Sequence, residues 1–279
     1  MTEGDVVELG PPILPGSYIG TTEGTQYLED VTAEPIKLEY EIDVPQAIAN
    51  GKPVRAIVIP SGIAYPRSNQ LVQALRDHFK GDHIVLTFDY SGLGEYGGKS
   101  TGTIQTHCLG QMVHDLRSVL KVFDEEKLKK IVSDLVVIGP SAGGNVVANV
   151  GEDERIAGIA AISTPTDFLS FREYFPHEGW NADGFVSHTS KSTGAVKRFH
   201  RNLWEKSEDP QFNPLPVDRV KQPTLIVQGT EDTIVTEATS MKQNENPKSK
   251  TVVIPGDHNY TGSREQLFAT IDAFLETLK

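Results

Sequence analysis

Three observations predict an α/β fold in which a mostly parallel central sheet of about eight strands is covered by helices on both faces. Short β-branched runs alternate with helical patterns from residue 36 onward, the order in which strands and their crossover helices follow one another in a parallel sheet. Several of the runs are almost continuously apolar, as a strand buried on both faces must be. The length, 279 residues at 38% hydrophobic and 23% charged, suffices for one large domain with a substantial core.

Taken in order, strands are expected at 37–43 (KLEYEID), 54–60 (VRAIVIP), 83–89 (HIVLTFD), 134–139 (DLVVIG), 157–163, 223–228 (PTLIVQ) and 251–255 (TVVIP). Between the second and third, Leu71, Val72, Leu75 and Phe79 fall on one helical stripe. Between the third and fourth, Leu109, Met112, Val113, Leu116, Val119, Leu120 and Phe123 do the same. Both stripes are core-facing by their 3.6-residue period. Residues 168–215 break the rhythm: they lie between two predicted strands and hold nine of the 21 aromatic residues, Trp180 and Trp204 among them. A long insertion of this kind is expected to be a cap over a pocket, with Phe171, Phe175, Trp180, Phe185 and Trp204 as candidate substrate contacts. Residues 1–24 are read as an acidic N-terminal arm, because the first 36 residues carry seven acids and no Lys or Arg. Residues 25–279 then form a single domain with its cap insertion at 168–215.

Composition excludes several classes. The formal net charge of −12 argues against a general nucleic-acid binder, which needs a basic face. No stretch approaches the roughly 18 uninterrupted apolar residues of a membrane span. A single cysteine, Cys108, cannot form an internal disulfide, and the first residues lack a basic start followed by an apolar run. Both features point to the cytosol. There is no HExxH, no CxxC and no glycine-rich phosphate loop of the usual spacing, so no metal and no cofactor are implied.

The chemistry concentrates in LVVIGPSAGGNVVANV (135–150), where a buried strand runs into Gly139-Pro140-Ser141-Ala142-Gly143 and then a helix of small residues. This is G-x-S-x-G in the strand-turn-helix setting of a nucleophile elbow. The bare pattern arises by chance roughly 0.1 times in a chain of this length, so its setting carries the weight. Gly139 and Gly143 remove side chains that would collide in a sharp turn. Ser141 is the candidate nucleophile, and the N–H of Ala142, at a helix start, faces developing negative charge.

A serine hydroxyl needs a base, and the base needs an orienting carboxylate. Asp232, in VQGTEDTIV, and His258, in VIPGDHNY, each follow a predicted strand, in the order serine, acid, histidine. His258 is the one of eight histidines at a strand's carboxyl end, where ligand sites of open α/β sheets collect. His78, His107 and His114 lie in helical patterns, His83 opens a strand, and His177, His188 and His200 lie in the insertion. Asp167, in STPTDF, also follows a strand and competes with Asp232 for the imidazole. A second oxyanion donor is expected from IPSGIAYPRSN, where Gly62 permits a tight turn and the N–H of Ile63 is the candidate.

With these motifs in order, the chain resembles the α/β-hydrolase superfamily from about residue 25 to its end. FDYSGLGEYGG (88–98) is similar to that family's loop after the fourth strand, and LIVQGTEDTIV and IPGDHNY to its acid and histidine loops. Ser61-Gly62 stands where the family often has His-Gly. Within the superfamily the resemblance is greatest to small acyl esterases of the cinnamoyl and feruloyl type, whose insertion after the sixth strand caps the site. It implies a serine hydrolase acting on a small-molecule acyl ester through an acyl-enzyme. The same triad could serve a thioester, a peptide, a carbon–carbon bond or a biosynthetic rearrangement, and a ligand-binding protein that lost turnover would keep the fold. The aromatic insertion suggests an apolar or aromatic substrate moiety.

Overall fold

The computed structural model describes residues 14–28, 35–189, 196–214, 220–236 and 248–278. Its centre is an eight-stranded sheet in the order β1-β2-β4-β3-β5-β6-β9-β10. The strands are β1 (Gly16–Glu23), β2 (Lys37–Val44), β3 (Val54–Ile59), β4 (Ile84–Phe88), β5 (Val132–Pro140), β6 (Ile156–Ile162), β9 (Thr224–Gly229) and β10 (Ser249–Ile254). β1 and β2 run antiparallel to their neighbours, and the other six are mutually parallel. All seven strands expected from the sequence are present.

Alternation along the central strands divides the core into two layers. On β5, Leu135 and Val137 enter one cluster and Val136 and Ile138 the other, because successive side chains of a strand point to opposite faces. The first layer is covered by α2 (Leu109–Leu120) and α4 (Ala142–Ala148), the second by α1 (Gln70–Phe79) and α6 (Arg264–Thr277). Leu71, Val72, Leu75 and Phe79 of α1 are all buried in the second layer, as their spacing requires.

The strand order places the site. From β3 the chain steps to β4 on one side, and then returns past β3 to β5 on the other. That reversal opens a crevice beyond the carboxyl ends of β3 and β5, and the loop after β3 and the turn after β5 are its two walls.

One expectation needs correction. Residues 16–23, assigned on charge to a solvated arm, form the edge strand β1, paired with β2 from Gly16–Val44 to Glu23–Lys37. An edge strand is held through its backbone on one side only and leaves most of its side chains exposed, so its composition is that of a solvated segment. Residues 1–13 lie outside the described residues.

The polar side chain Asp115 is buried in the first layer on α2. Its carboxyl accepts the N–H and the hydroxyl of Ser91, both at 2.8 Å, and Nε2 of Gln111 at 2.8 Å. Burial pushes its pKa up to about 7 from an ordinary 3.8, against the pull of those donors. Asp115→Ala would strand three buried donors and is expected to lower unfolding free energy by about 3 kcal/mol in chemical denaturation. Because the folded pKa is the higher one, the unfolded chain releases the proton first as pH rises. Asp115's contribution is therefore full below the ordinary value and is lost as the pH climbs toward 7. The cost of Asp115→Ala should shrink over that interval, and a cost that grew with pH would contradict the assignment.

Candidate active site

Three loops converge in the crevice. The turn between β5 and α4 carries Ser141, the loop after β9 carries Asp232, and the loop after β10 carries His258. His258 Nε2 lies 3.0 Å from Ser141 Oγ, and His258 Nδ1 lies 2.8 Å from Asp232 Oδ2. The second carboxylate oxygen, Oδ1, accepts the N–H groups of Ile234 at 2.9 Å and Val235 at 2.8 Å. The Asp232 side chain is fully buried and that of His258 is 16% exposed. Burial by itself would raise the Asp232 pKa. The hydrogen bond and charge of His258, the Val235 amide and the Ser163 hydroxyl outweigh it, and the carboxyl is held below its ordinary value.

The glycines of the elbow are explained by contact. A Cβ on Gly139 would lie 2.3 Å from the carbonyl oxygen of Gly143, and one on Gly143 would lie 2.7 Å from that of Ser61. No side chain fits either place. The next residue, Gly144, is equally constrained, since a Cβ there would meet Thr164 Oγ1 at 1.8 Å. Ser141 itself has φ 55°, a conformation that L residues adopt only when the surroundings impose it.

The loop after β3 closes the other side. A Cβ on Gly62 would lie 3.4 Å from Ser141 Cβ, so this loop touches the elbow. Ser61 Oγ donates to the Tyr65 carbonyl at 2.5 Å and fixes the loop's curvature. Among the described residues, the N–H of Ile63 donates to no backbone acceptor, and Ala142 stands at the first position of α4, where the helix offers its N–H no acceptor of its own.

Asp167 is elsewhere engaged. Its Oδ1 accepts the N–H of Leu169 and Nδ2 of Asn213, each at 2.8 Å, and so caps the short helical turn Phe168–Glu173. Among the other histidines, His78 faces Asp272 at 3.0 Å, His200 approaches the Asp183 carbonyl at 3.2 Å, and His107 is buried. Asp89 of the FDYSGLGEYGG segment pairs with Arg67 and accepts the N–H of Lys99 at 3.0 Å, which makes it a loop brace. Cys108 is buried, and burial raises its thiol pKa to about 12. Among the described residues, no three His, Cys, Asp or Glu side chains gather as a metal site would require, and no helix is long and apolar enough to cross a membrane.

Known structures share this architecture. A structure of Est1E from Butyrivibrio proteoclasticus with ferulic acid bound superposes with a TM-score of 0.71 at 21% identity, covering 89% of this chain and 98% of that one. The chain has the α/β-hydrolase fold. Alpha/beta hydrolase domain-containing protein 10 from mouse matches with a TM-score of 0.65 at 18% identity, over 93% and 100% of the two chains. The enol-lactonase from Burkholderia xenovorans matches with a TM-score of 0.61 at 17% identity, over 86% and 97%. No protein-family model and no curated protein matches the sequence.

In this α/β-hydrolase fold the residues after β6 form a short hairpin of β7 (Phe185–Thr189) and β8 (Val196–His200), followed by the helix α5 (Asn202–Glu205). Two of the five aromatics expected at substrate lie in the core instead. Phe171 is 1% exposed and Trp204 2%. Trp204 packs on Phe168, and its indole N–H donates to the Pro176 carbonyl at 2.7 Å. An inserted segment must first bury apolar surface to hold itself down, and these two rings serve that need. Phe175, Trp180 and Phe185 are only half-buried. Phe185 lines a cavity of about 520 Å³ with Gln105, Asn181, Asp183 and Arg198.

Two residues of the site left no mark on the sequence reading. Ser163, after β6, has φ 48°, and Tyr260, two residues past His258, has φ 52°. Their hydroxyls lie 3.0 Å apart, and Tyr260 also donates to the Val227 carbonyl at 3.3 Å. With Ala64 and Ser141 they are the four non-glycine residues of positive φ among the described residues. All four sit on loops at the carboxyl ends of β3, β5, β6 and β10. Strain held in place by surrounding structure clusters at functional sites, and at Ala64, Ser163 and Tyr260 no sequence pattern announced it.

Proposed function

We propose that this protein is a serine hydrolase that cleaves a small carboxylic ester through an acyl-enzyme. The observation that carries the reading is the unbroken line from Ser141 Oγ to His258 at 3.0 Å and from His258 to Asp232 at 2.8 Å. Ser141 Oγ attacks the ester carbonyl carbon as its proton passes to His258 Nε2, and the carbonyl π electrons move onto oxygen. The N–H groups of Ile63 and Ala142 hold that oxyanion. Collapse expels the alcohol, which takes the proton from His258. Water then adds to the acyl-enzyme with His258 as base, and the carboxylic acid leaves. Asp232 keeps the imidazole in the tautomer whose Nε2 accepts.

The similarity to proteins named as esterases and an enol-lactonase supports an ester as the bond cleaved. The described residues of the 168–215 insertion form the cap in this reading, residues 190–195 and 215 lying outside the described residues, and the half-buried Phe175, Trp180 and Phe185 are its candidate contacts to an apolar or aromatic substrate moiety. A cytosolic location fits the lone, buried Cys108.

The test is a fluorophosphonate probe together with a panel of aryl and alkyl esters. Stoichiometric labelling at Ser141 and turnover of at least one ester are expected; a protein that neither labels nor hydrolyses any member of the panel is not this enzyme.

A further inference from the structure

Along β8 the side chains alternate, with Phe199 buried and Val196 and Arg198 exposed. Lys197 falls on the inward face with Phe199, where the pattern calls for an apolar residue. Its Nζ donates to the Ala64 carbonyl at 2.8 Å and stands 3.3 Å from the centre of the Tyr65 ring and 5.4 Å from that of Tyr96. Among the described residues no carboxylate lies within ion-pair distance of it, and Glu95, the acid beside Tyr96, pairs with Arg198 at 3.6 Å. Burial lowers the Lys197 pKa to about 8. Partial burial of a cation with no carboxylate partner costs stability, and its hydrogen bond to Ala64 and the two aromatic rings offset only part of that cost.

Its acceptor points to the task. Ala64 follows Ile63 and has φ 53°, so the loop that bears the proposed oxyanion donor contains a strained peptide. Ser61 Oγ restrains that loop from within, and Lys197 restrains it from the hairpin. The hairpin and the helix after it are also anchored away from that loop: Phe199 packs on Tyr96 and Phe175, and Asn202 Nδ2 of α5 donates to the Gln105 carbonyl at 2.9 Å.

We infer that Lys197 is a positioning residue, tying the β7–β8 hairpin to the strained 61–65 loop so that the Ile63 N–H is correctly set for the oxyanion only while the hairpin is seated. This rests on the serine-hydrolase reading, which it deepens by naming what couples cap to catalytic loop. The cation makes no contact with the reacting atoms. Its charge–π contacts with Tyr65 hold it over the loop, and its hydrogen bond orients the Ala64 peptide.

Lys197→Met keeps the stem and removes the donor, whereas Lys197→Arg restores a donor that also stacks on an aromatic ring. With an aryl ester, the methionine variant is expected to lose roughly 10- to 100-fold in kcat, the scale of a misplaced oxyanion donor, while KM stays within about threefold. The arginine variant should recover most of the loss. Hydrogen exchange followed by mass spectrometry should show the 61–66 and 196–200 segments opening together in the methionine variant. If the methionine variant does not fold, Lys197→Gln is carried through the same measurements. A neutral variant that keeps wild-type kcat, or one in which 61–66 exchange is unchanged, overturns the inference. Wild-type protein that neither labels nor hydrolyses an ester overturns the hydrolase reading instead. The exchange measurement needs no turnover, so the two failures are separable.

Discussion

Ser141→Ala is expected to reduce ester turnover by about 10⁶-fold and to abolish fluorophosphonate labelling, because in the proposed mechanism it removes the atom that forms the covalent bond. The fold should survive. Alanine has the same backbone demands at φ 55°, and Ser141's backbone partners, the Ile162 carbonyl at 2.7 Å and the Gly144 N–H at 2.9 Å, need no side chain. The measurement is initial-rate kinetics on the best ester of the panel, with the unfolding midpoint as a control. A variant that keeps more than about 1% of wild-type kcat would remove Ser141 from the mechanism.

Asp232→Asn is expected to cost roughly 10⁴-fold in kcat with little change in KM. The reason lies in the partners of its two oxygens. Oδ1 accepts two backbone N–H groups, from Ile234 and Val235, so an asparagine must put its carbonyl there and turn its NH₂ toward His258 Nδ1. That nitrogen would then accept, the ring proton would move to Nε2, and the base would present a donor to Ser141 at the moment it must take a proton. The low pKa of Asp232 reinforces the point, since a carboxyl held below its ordinary value stays charged at neutral pH and favours the productive tautomer. Asp167→Asn should leave kcat within about threefold, because its partners are Leu169 and Asn213. Parallel kinetics on the two variants checks both statements, and a reversed ranking would transfer the acid's role to Asp167.

The elbow was legible in advance because its motif is contiguous. Gly139 is dictated by a collision within the turn itself, with Gly143 and Gly144, whereas Gly143 is dictated by the Ser61 and Pro60 carbonyls of the loop after β3. The acid was legible only as a choice between two loops. Asp167 and Asp232 both follow strands in the sequence, and only packing shows that one caps a helical turn while the other meets an imidazole. The aromatic insertion was legible as a concentration of rings, but not as a division of labour. Burial of Phe171 and Trp204 depends on what the segment lies against, which composition does not record. Lys197 could not be singled out at all, since a lysine in a short strand reads as solvent-facing until the hairpin has a place to sit.

Period and spacing along the chain decided that there would be a parallel sheet, which helix faces would be buried, and where a serine would be raised on a strained turn. These are properties of contiguous segments, governed by side-chain direction and backbone sterics within about one element's length. Packing decided that residues 117 positions apart, Ser141 and His258, would share a hydrogen bond, that β1 would join the sheet through its backbone, and that a lysine would settle on the Ala64 carbonyl. Contacts of that separation are set by the order of strands in the sheet, and the strand order follows from how two apolar faces are covered at once.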